Sequence, residues 1–310
     1  MSVQVHWHEG LFLQPHHLQH LQRQSLDRLG AERGNAYAYP YGVVSARISS
    51  DELENMRVRF DQLRVILPGG MVVDVPENAD LPSLDISEQF AASTRPLTVS
   101  LGVPLWYSNR GNALEIGDTD WRVKRLYRVA EQEAPDENTG ENRQSLLVRK
   151  INARLLLDTD DRSDLEVLPL LRIGHGAGDD VGLPRLDASF VPSCFLLSGS
   201  PTLRDTLRDL ANQVEAARKE AVIVLTRAGF NVELLTGVRV QQLMRLQVLN
   251  RYAATLMPMV QAAGGFTPFD IYLEMRRLLA DLAALQPDRD AWDAPKYDHD
   301  NPGPVFMELS

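Results

Sequence analysis

The stretch SPTLRDTLRDLANQVEAARKEAVIV, Ser200–Val224, is where the chain changes its hydrophobic period. Leu203, Leu207, Leu210, Val214, Ala217, Ala221 and Val224 follow one another at spacings of 4, 3, 4, 3, 4 and 3. That is an a/d seam of heptads on one helix face. Ser200 supplies an N-cap oxygen, and Pro201 suits the first helical position, where the missing N–H costs nothing. Gly229 ends the pattern. A 3.5-residue period favours supercoiled packing between helices of different chains, but an intramolecular three-helix bundle shows the same seam. The spacing alone leaves both open. Ala217 and Ala221 allow close helix approach in the middle of the seam.

Two further helices follow. One is predicted over Thr236–Met257, with Val240, Leu243, Leu246, Leu249 and Ala253 inward and Gln247 and Asn250 at its edge. Pro258 and the pair Gly264-Gly265 predict a kink or stop there. The next starts at Thr267-Pro268 with Asp270 in its first turn. Ile271, Met275, Leu278, Leu282 and Leu285 again step 4, 3, 4, 3.

Upstream, from about Tyr41 to Ile173, the period is two. Val58 and Phe60, then Leu63, Val65 and Leu67, alternate with polar residues. Met71, Val73 and Val75 do so after Pro68-Gly69-Gly70, a hairpin turn. Leu97, Val99, Leu101 and Val103 repeat the pattern, as do Trp121 and Val123, and Ile151, Ala153, Leu155 and Leu157. Many short strands separated by Pro, Gly, Asp and Asn predict an antiparallel sandwich or barrel. The absence of βαβ alternation argues against a parallel nucleotide-binding sheet. The acidic run EQEAPDENTGEN, Glu131–Asn142, predicts an exposed, mobile hairpin tip. GHGAGDD, Gly174–Asp180, is the predicted boundary between the two regions.

Composition limits the function. At 310 residues the chain is long enough for two domains with cores of their own. A net charge of -10 disfavours a phosphate-backbone binder. The cluster Arg122, Lys124, Arg125 and Arg128 reads as one solvated strand face, and no nucleic-acid partner is expected. The single cysteine, Cys194, excludes an intrachain disulfide framework and fits a reducing compartment. Its apolar flank predicts a buried, inert thiol. No signal peptide and no run of about 20 apolar residues is found, so no direct membrane insertion and a cytoplasmic location are expected.

The segment VHWHEGLFLQPHHLQH, Val5–His20, holds five of the seven histidines. His16 and His20 stand at i, i+4 and His6 and His8 form an H-x-H pair, so a histidine-rich metal-binding domain or metalloenzyme is the alternative reading. No partner pair with ligand spacing lies downstream and H-E-x-x-H is absent, so no metal and no cofactor are expected. DTDDRSDLE, Asp158–Glu166, fails as a calcium loop: Ser163 stands where the turn glycine belongs, and Pro169 where the bidentate acid belongs. No G-x-S-x-G elbow or buried carboxylate dyad occurs, so no catalytic residue is assigned and the chain is not read as an enzyme. Trp7, Leu11, Phe12 and Leu13 precede a helix opened by Pro15, with Leu18, Leu21 and Leu29 as its stripe. They either cap the chain's own core or form a contact surface anchored by Trp7.

Val5–His20 also resembles the opening of the TssK family, baseplate components of the bacterial type VI secretion system. Further similar stretches follow in family order: YPYG (Tyr39–Gly42), LPGGMVVDVPENADLP (Leu67–Pro82), LGVPLW (Leu101–Trp106), FVPSCFLLSGSP (Phe190–Pro201) and TPFDIYLEMRRLLADL (Thr267–Leu282). The resemblance covers nearly all the chain, and its strength lies in the collinear set. It implies an α+β protein: an antiparallel β-sandwich shoulder like that of phage receptor-binding proteins, then a helical neck bundle, assembled as a homotrimer. Mapped here, residues 1–19 are an arm packing on the neck, 20–172 the shoulder and 173–310 the neck. The implied function is a structural adaptor between the baseplate wedge and the inner-membrane complex, peripheral to that complex. The implied partners are TssF and TssG, and TssL and TssM through a C-terminal head. The chain stops at Ser310, after the APKYDHDNPGPVFMEL segment that leads toward that head, so it is expected to lack it. The residues assigned to partner binding are Trp7, Glu9, Phe12, Pro15, His16 and His17. The trimer interface is assigned to the seam from Leu203 to Val224 and to Ile271, Met275, Leu278 and Leu282.

Overall fold

The computed structural model describes residues 3–310 apart from 119–121, 177–181, 228, 230, 235 and 287–293. Trp121, expected in a strand, and most of the Gly174–Asp180 segment lie outside the described residues. The chain forms two compact units, Met1–Asp187 and Ala188–Ser310. The division falls later than the boundary predicted at 172/173 and later than Gly174, because a long strand runs on to His175 and a further strand pairs back onto it. Residues 1–19 fall within the first unit.

The first unit opens with α1 (Pro15–Ala36), β1 (Gly42–Ile48), α2 (Ser50–Glu54), β2 (Arg57–Val58), β3 (Phe60–Ile66) and β4 (Val72–Val75). It continues with β5 (Leu84–Asp85), α3 (Ser87–Ala92), β6 (Leu97–Pro104), β7 (Tyr127–Ala134), β8 (Gln144–Ile151), β9 (Arg154–Leu156), β10 (Leu165–His175) and β11 (Pro184–Leu186). The strand pairs are antiparallel, as period-two segments joined by turns require. They form sheets in the orders β1-β3-β4 and β11-β10-β6-β9, with the pairs β2-β5 and β7-β8. Alternation places the core: Val58, Leu63, Val65, Leu67, Val73, Val99 and Leu101 are fully buried. On the central strand β6, a Cβ at Gly102 would collide with the Leu156 side chain of β9, so glycine is required there.

The predicted turn between β3 and β4 is closed by Leu67 and Met71, with Gly70 at φ +88°, a conformation that favours glycine. Gly69 N–H donates to the Glu166 carboxylate on β10. A Cβ at Gly69 would sit 3.0 Å from Glu166 Oε1. Burial raises the Glu166 pKa above its ordinary value, and the Gly69 N–H offsets part of that rise.

The second unit is helical: α4 (Pro201–Thr226), α5 (Val238–Gln261), α6 (Pro268–Ala283) and α7 (Pro302–Leu309). Ser200 Oγ accepts from Leu203 N–H at 3.3 Å and Pro201 opens α4, as its sequence predicts. Thr267 and Asp270 form a reciprocal cap on α6, with Asp270 N–H on Thr267 Oγ1 at 3.1 Å and Thr267 N–H on Asp270 Oδ2 at 2.9 Å. Leu203, Leu207, Leu210 and Val214 share one buried cluster with Leu249, Tyr252 and Leu256 of α5, Ile271, Met275 and Leu278 of α6, and Val305 and Phe306 of α7. α5 does not stop at Pro258 but runs on to Gln261. The proline removes one ladder bond where only the last turn remains, and Ala262 N–H still reaches its carbonyl at 2.9 Å. The expected inward face of α5 holds at Leu249 and Ala253 and continues at Tyr252 and Leu256, while Val240 is exposed.

Two outcomes test this packing. Leu207→Ala opens a cavity in the cluster and should cost about 2–5 kcal/mol in denaturant unfolding. Val224→Ala, at a half-exposed position of the same seam, should cost much less than Leu207→Ala. Glu166 has a raised folded-state pKa, so its stabilising protonation is fully present below pH 4.5 and is lost as pH rises through the folded value. Unfolding measured from pH 4.5 to 7 should therefore show a steeper fall for the native chain than for Glu166→Gln; equal slopes would contradict the assignment.

Candidate functional site

The N-terminal arm is folded back on the start of α1. Gly10 at φ +78° turns the chain, and Leu11 N–H donates to the His8 carbonyl at 3.2 Å. His20 Nε2 donates to the Val3 carbonyl. Gln14 N–H donates to His17 Nδ1 at 3.1 Å. The Trp7 and His17 rings lie 6.2 Å apart. Of the residues assigned to partner binding, the structure thus brings Trp7 and His17 together. Trp7 remains 51% exposed and Phe12 81% exposed. Glu9, Pro15 and His16 are exposed as well. Among the described residues, no group of three or more His, Cys, Asp and Glu side chains is placed to hold a metal ion.

None of the side chains of α1 is buried. Fixed contacts hold the helix instead. The Arg23 guanidinium lies 4.2 Å over the Trp106 ring, and Arg149 Nη2 donates to Gln22 Oε1 at 3.0 Å. Arg33 Nη1 donates to the Gly70 carbonyl at 3.1 Å. Between α1 and the strands lies a cavity of about 970 Å³. Leu21, Leu26 and Leu29 line one wall, and Met71, Val72, Tyr127 and Ile151 line others. The expected stripe included Leu21 and Leu29 but not Leu26. The cavity itself has no local signal: it is made by residues more than a hundred positions apart.

In the second unit, Leu203, Leu207, Leu210, Val214 and Ala221 of the seam are buried, and Ala217 packs at the edge of the cluster. Ile271, Met275 and Leu278 are buried and Leu282 packs against them. Val224 is 52% exposed, and Ile223, Val232, Val238 and Met244 around the α4–α5 connection are exposed with it. Polar ties align α5 with α6: Thr255 Oγ1 donates to Glu274 Oε1 at 3.1 Å and Tyr252 OH to Asp281 Oδ2 at 2.9 Å. Burial, then the Asp281 acceptor, pushes the Tyr252 hydroxyl up to about 12.

The remaining candidate chemistry is absorbed by structure. Lys124 of the basic cluster donates to Asp161 and to Ser163. Tyr107 OH donates to Asp164 Oδ1 at 2.6 Å. The Lys124 ammonium and the Ser163 donors hold the Asp161 carboxyl well below the usual carboxylate range. The Asp158–Glu166 carboxylates thus brace the connection between β9 and β10. Cys194 is fully buried, and burial alone pushes its thiol up, away from the reactive thiolate. No helix among the described residues is long and apolar enough to cross a membrane.

This mixed helix-and-sheet fold matches known structures over its whole length. A chain of the baseplate complex from the type VI secretion system superposes with a TM-score of 0.87 at 22% identity, covering 100% of this chain and 97% of that one. A chain of a TssK–TssF–TssG baseplate subcomplex solved by cryo-electron microscopy gives 0.85 at 22% identity, with coverage of 100% and 97%. The type VI secretion baseplate component TssK1 of Pseudomonas aeruginosa is 23% identical over 98% of this chain, which spans 66% of that relative's length. The family described as "Bacterial Type VI secretion, VC_A0110, EvfL, ImpJ, VasE" matches residues 17–310, and the chain belongs to that family.

Proposed function

We propose that the chain is the shoulder and neck of a TssK-like structural adaptor in a type VI secretion baseplate, acting by binding rather than catalysis. The observation that carries this is the family match over residues 17–310, together with fold similarity to chains of baseplate complexes. The first unit takes the shoulder role and the second the neck role. TssF and TssG are its proposed partners, since they accompany the similar chain in one of those complexes. The proposed assembly is a homotrimer, as the resemblance implies. It is supported by apolar side chains left exposed at Val224, Val238 and Met244, near the α4–α5 connection. Trp7 and Phe12 of the arm are proposed partner anchors, being large, apolar and exposed. Contacts to TssL and TssM are those the resemblance implies through a C-terminal head. The setting is cytoplasmic, peripheral to the inner-membrane complex.

Co-expression with TssF and TssG of the same system tests this. A complex that survives affinity purification and size exclusion is expected, and Trp7→Ala with Phe12→Ala should weaken it by about 2 kcal/mol or more, the loss typical of interface anchors. A chain that elutes alone, while TssF and TssG associate with each other, would overturn the reading.

A further inference from the structure

We propose that the groove beneath α1 is a docking site for a short apolar peptide segment flanked by acidic residues and carried by another protein. The inference deepens the adaptor reading and rests on it. The helix is positioned, not loosely attached: Arg23 on Trp106, Arg149 on Gln22 and Arg33 on the Gly70 carbonyl fix it along its length. At one end, helix and turn approach backbone to backbone, since a Cβ on Gly70 would lie 3.5 Å from Gly30 Cα. Along the groove, the wall stays wet. Leu26 is 55% and Leu29 61% exposed although both face the cavity. A helix held by its polar contacts, with its leucines left against open space, presents an apolar slot of fixed width.

The charges choose the occupant. Arg23, Arg33 and Arg149 all line the groove. The one carboxylate among its lining residues, Asp27, is already paired with Arg23 at 3.3 Å. An apolar segment with acidic flanks therefore complements the site, and a basic one is repelled. Several of the chain's own exposed apolar stretches fit poorly. Val224 and Val238 stand beside Arg227 and Arg239, and Leu146 and Leu147 stand among Arg143, Arg149 and Lys150. Ile116 beside Glu115 has the complementary charge, and the cross-linking outcome below separates a second copy from another protein.

Selection of phage-displayed random peptides of about twelve residues on the immobilised 310-residue chain tests this. Enriched peptides should carry two or more aliphatic or aromatic residues bordered by Asp or Glu, and should weaken at high salt. In fluorescence anisotropy, their affinity should fall about tenfold or more for Leu26→Gln combined with Leu29→Gln. Met71→Gln, on the opposite wall, provides a second reading if the double variant unfolds. No enrichment, basic flanks, binding indifferent to both walls, or a disulfide between two copies of a Leu26→Cys chain would each overturn the proposal. If TssF and TssG still co-purify with the native chain when no such peptide is enriched, the groove inference fails and the adaptor reading stands.

Discussion

Burial of the α4 seam against its own chain is the interaction on which the second unit depends. Leu203, Leu207, Leu210 and Val214 meet α5, α6 and α7 in a single cluster, and each fully buried aliphatic side chain contributes about 1.5–3 kcal/mol relative to exposure. Val224, the last residue of the seam, and its neighbour Ile223 are exposed. Along the second half of the helix Ala221 and Leu225 stay buried while Ile223 and Val224 are exposed.

The first unit shows the same division by other means. Its strands close their cores with fully buried residues such as Leu63, Val65 and Val99. Its N-terminal helix gains nothing from those cores. A helix of 22 residues is marginal in water without tertiary packing, and α1 relies on three arginine contacts, a proline start and the folded-back arm. Surface held in place but not buried is the hallmark of a binding protein. Among the described residues, polar side chains brace turns and align helices, as Glu166, Glu274 and Asp164 do.

Much of this was legible in local pattern. The alternation of Leu63, Val65 and Leu67 placed a strand and its buried face, and Ser200 and Thr267 placed helix starts, because caps and periods are set by neighbours within a few residues. Pro258 misled because a proline near a helix end interrupts little. On α5 only Val240 departs from the expected inward face, because the buried positions of that helix, Leu249, Tyr252 and Leu256, lie in its second half. The groove was invisible because Arg23 and Trp106, or Gln22 and Arg149, meet only once the sheets have formed. The histidines drew attention as ligands, yet His17 and His20 serve as hydrogen-bonding groups that tie the arm to α1.

The central claim is that the wet end of the α4–α5 pair is covered by other copies of the chain. Light scattering after size exclusion measures this directly. Three chains of 34.7 kDa give a native mass of about 104 kDa, the expected result for a closed cyclic assembly. A mass of one chain, unchanged as concentration rises, would contradict it and leave Val224, Val238 and Met244 without a partner of their own kind.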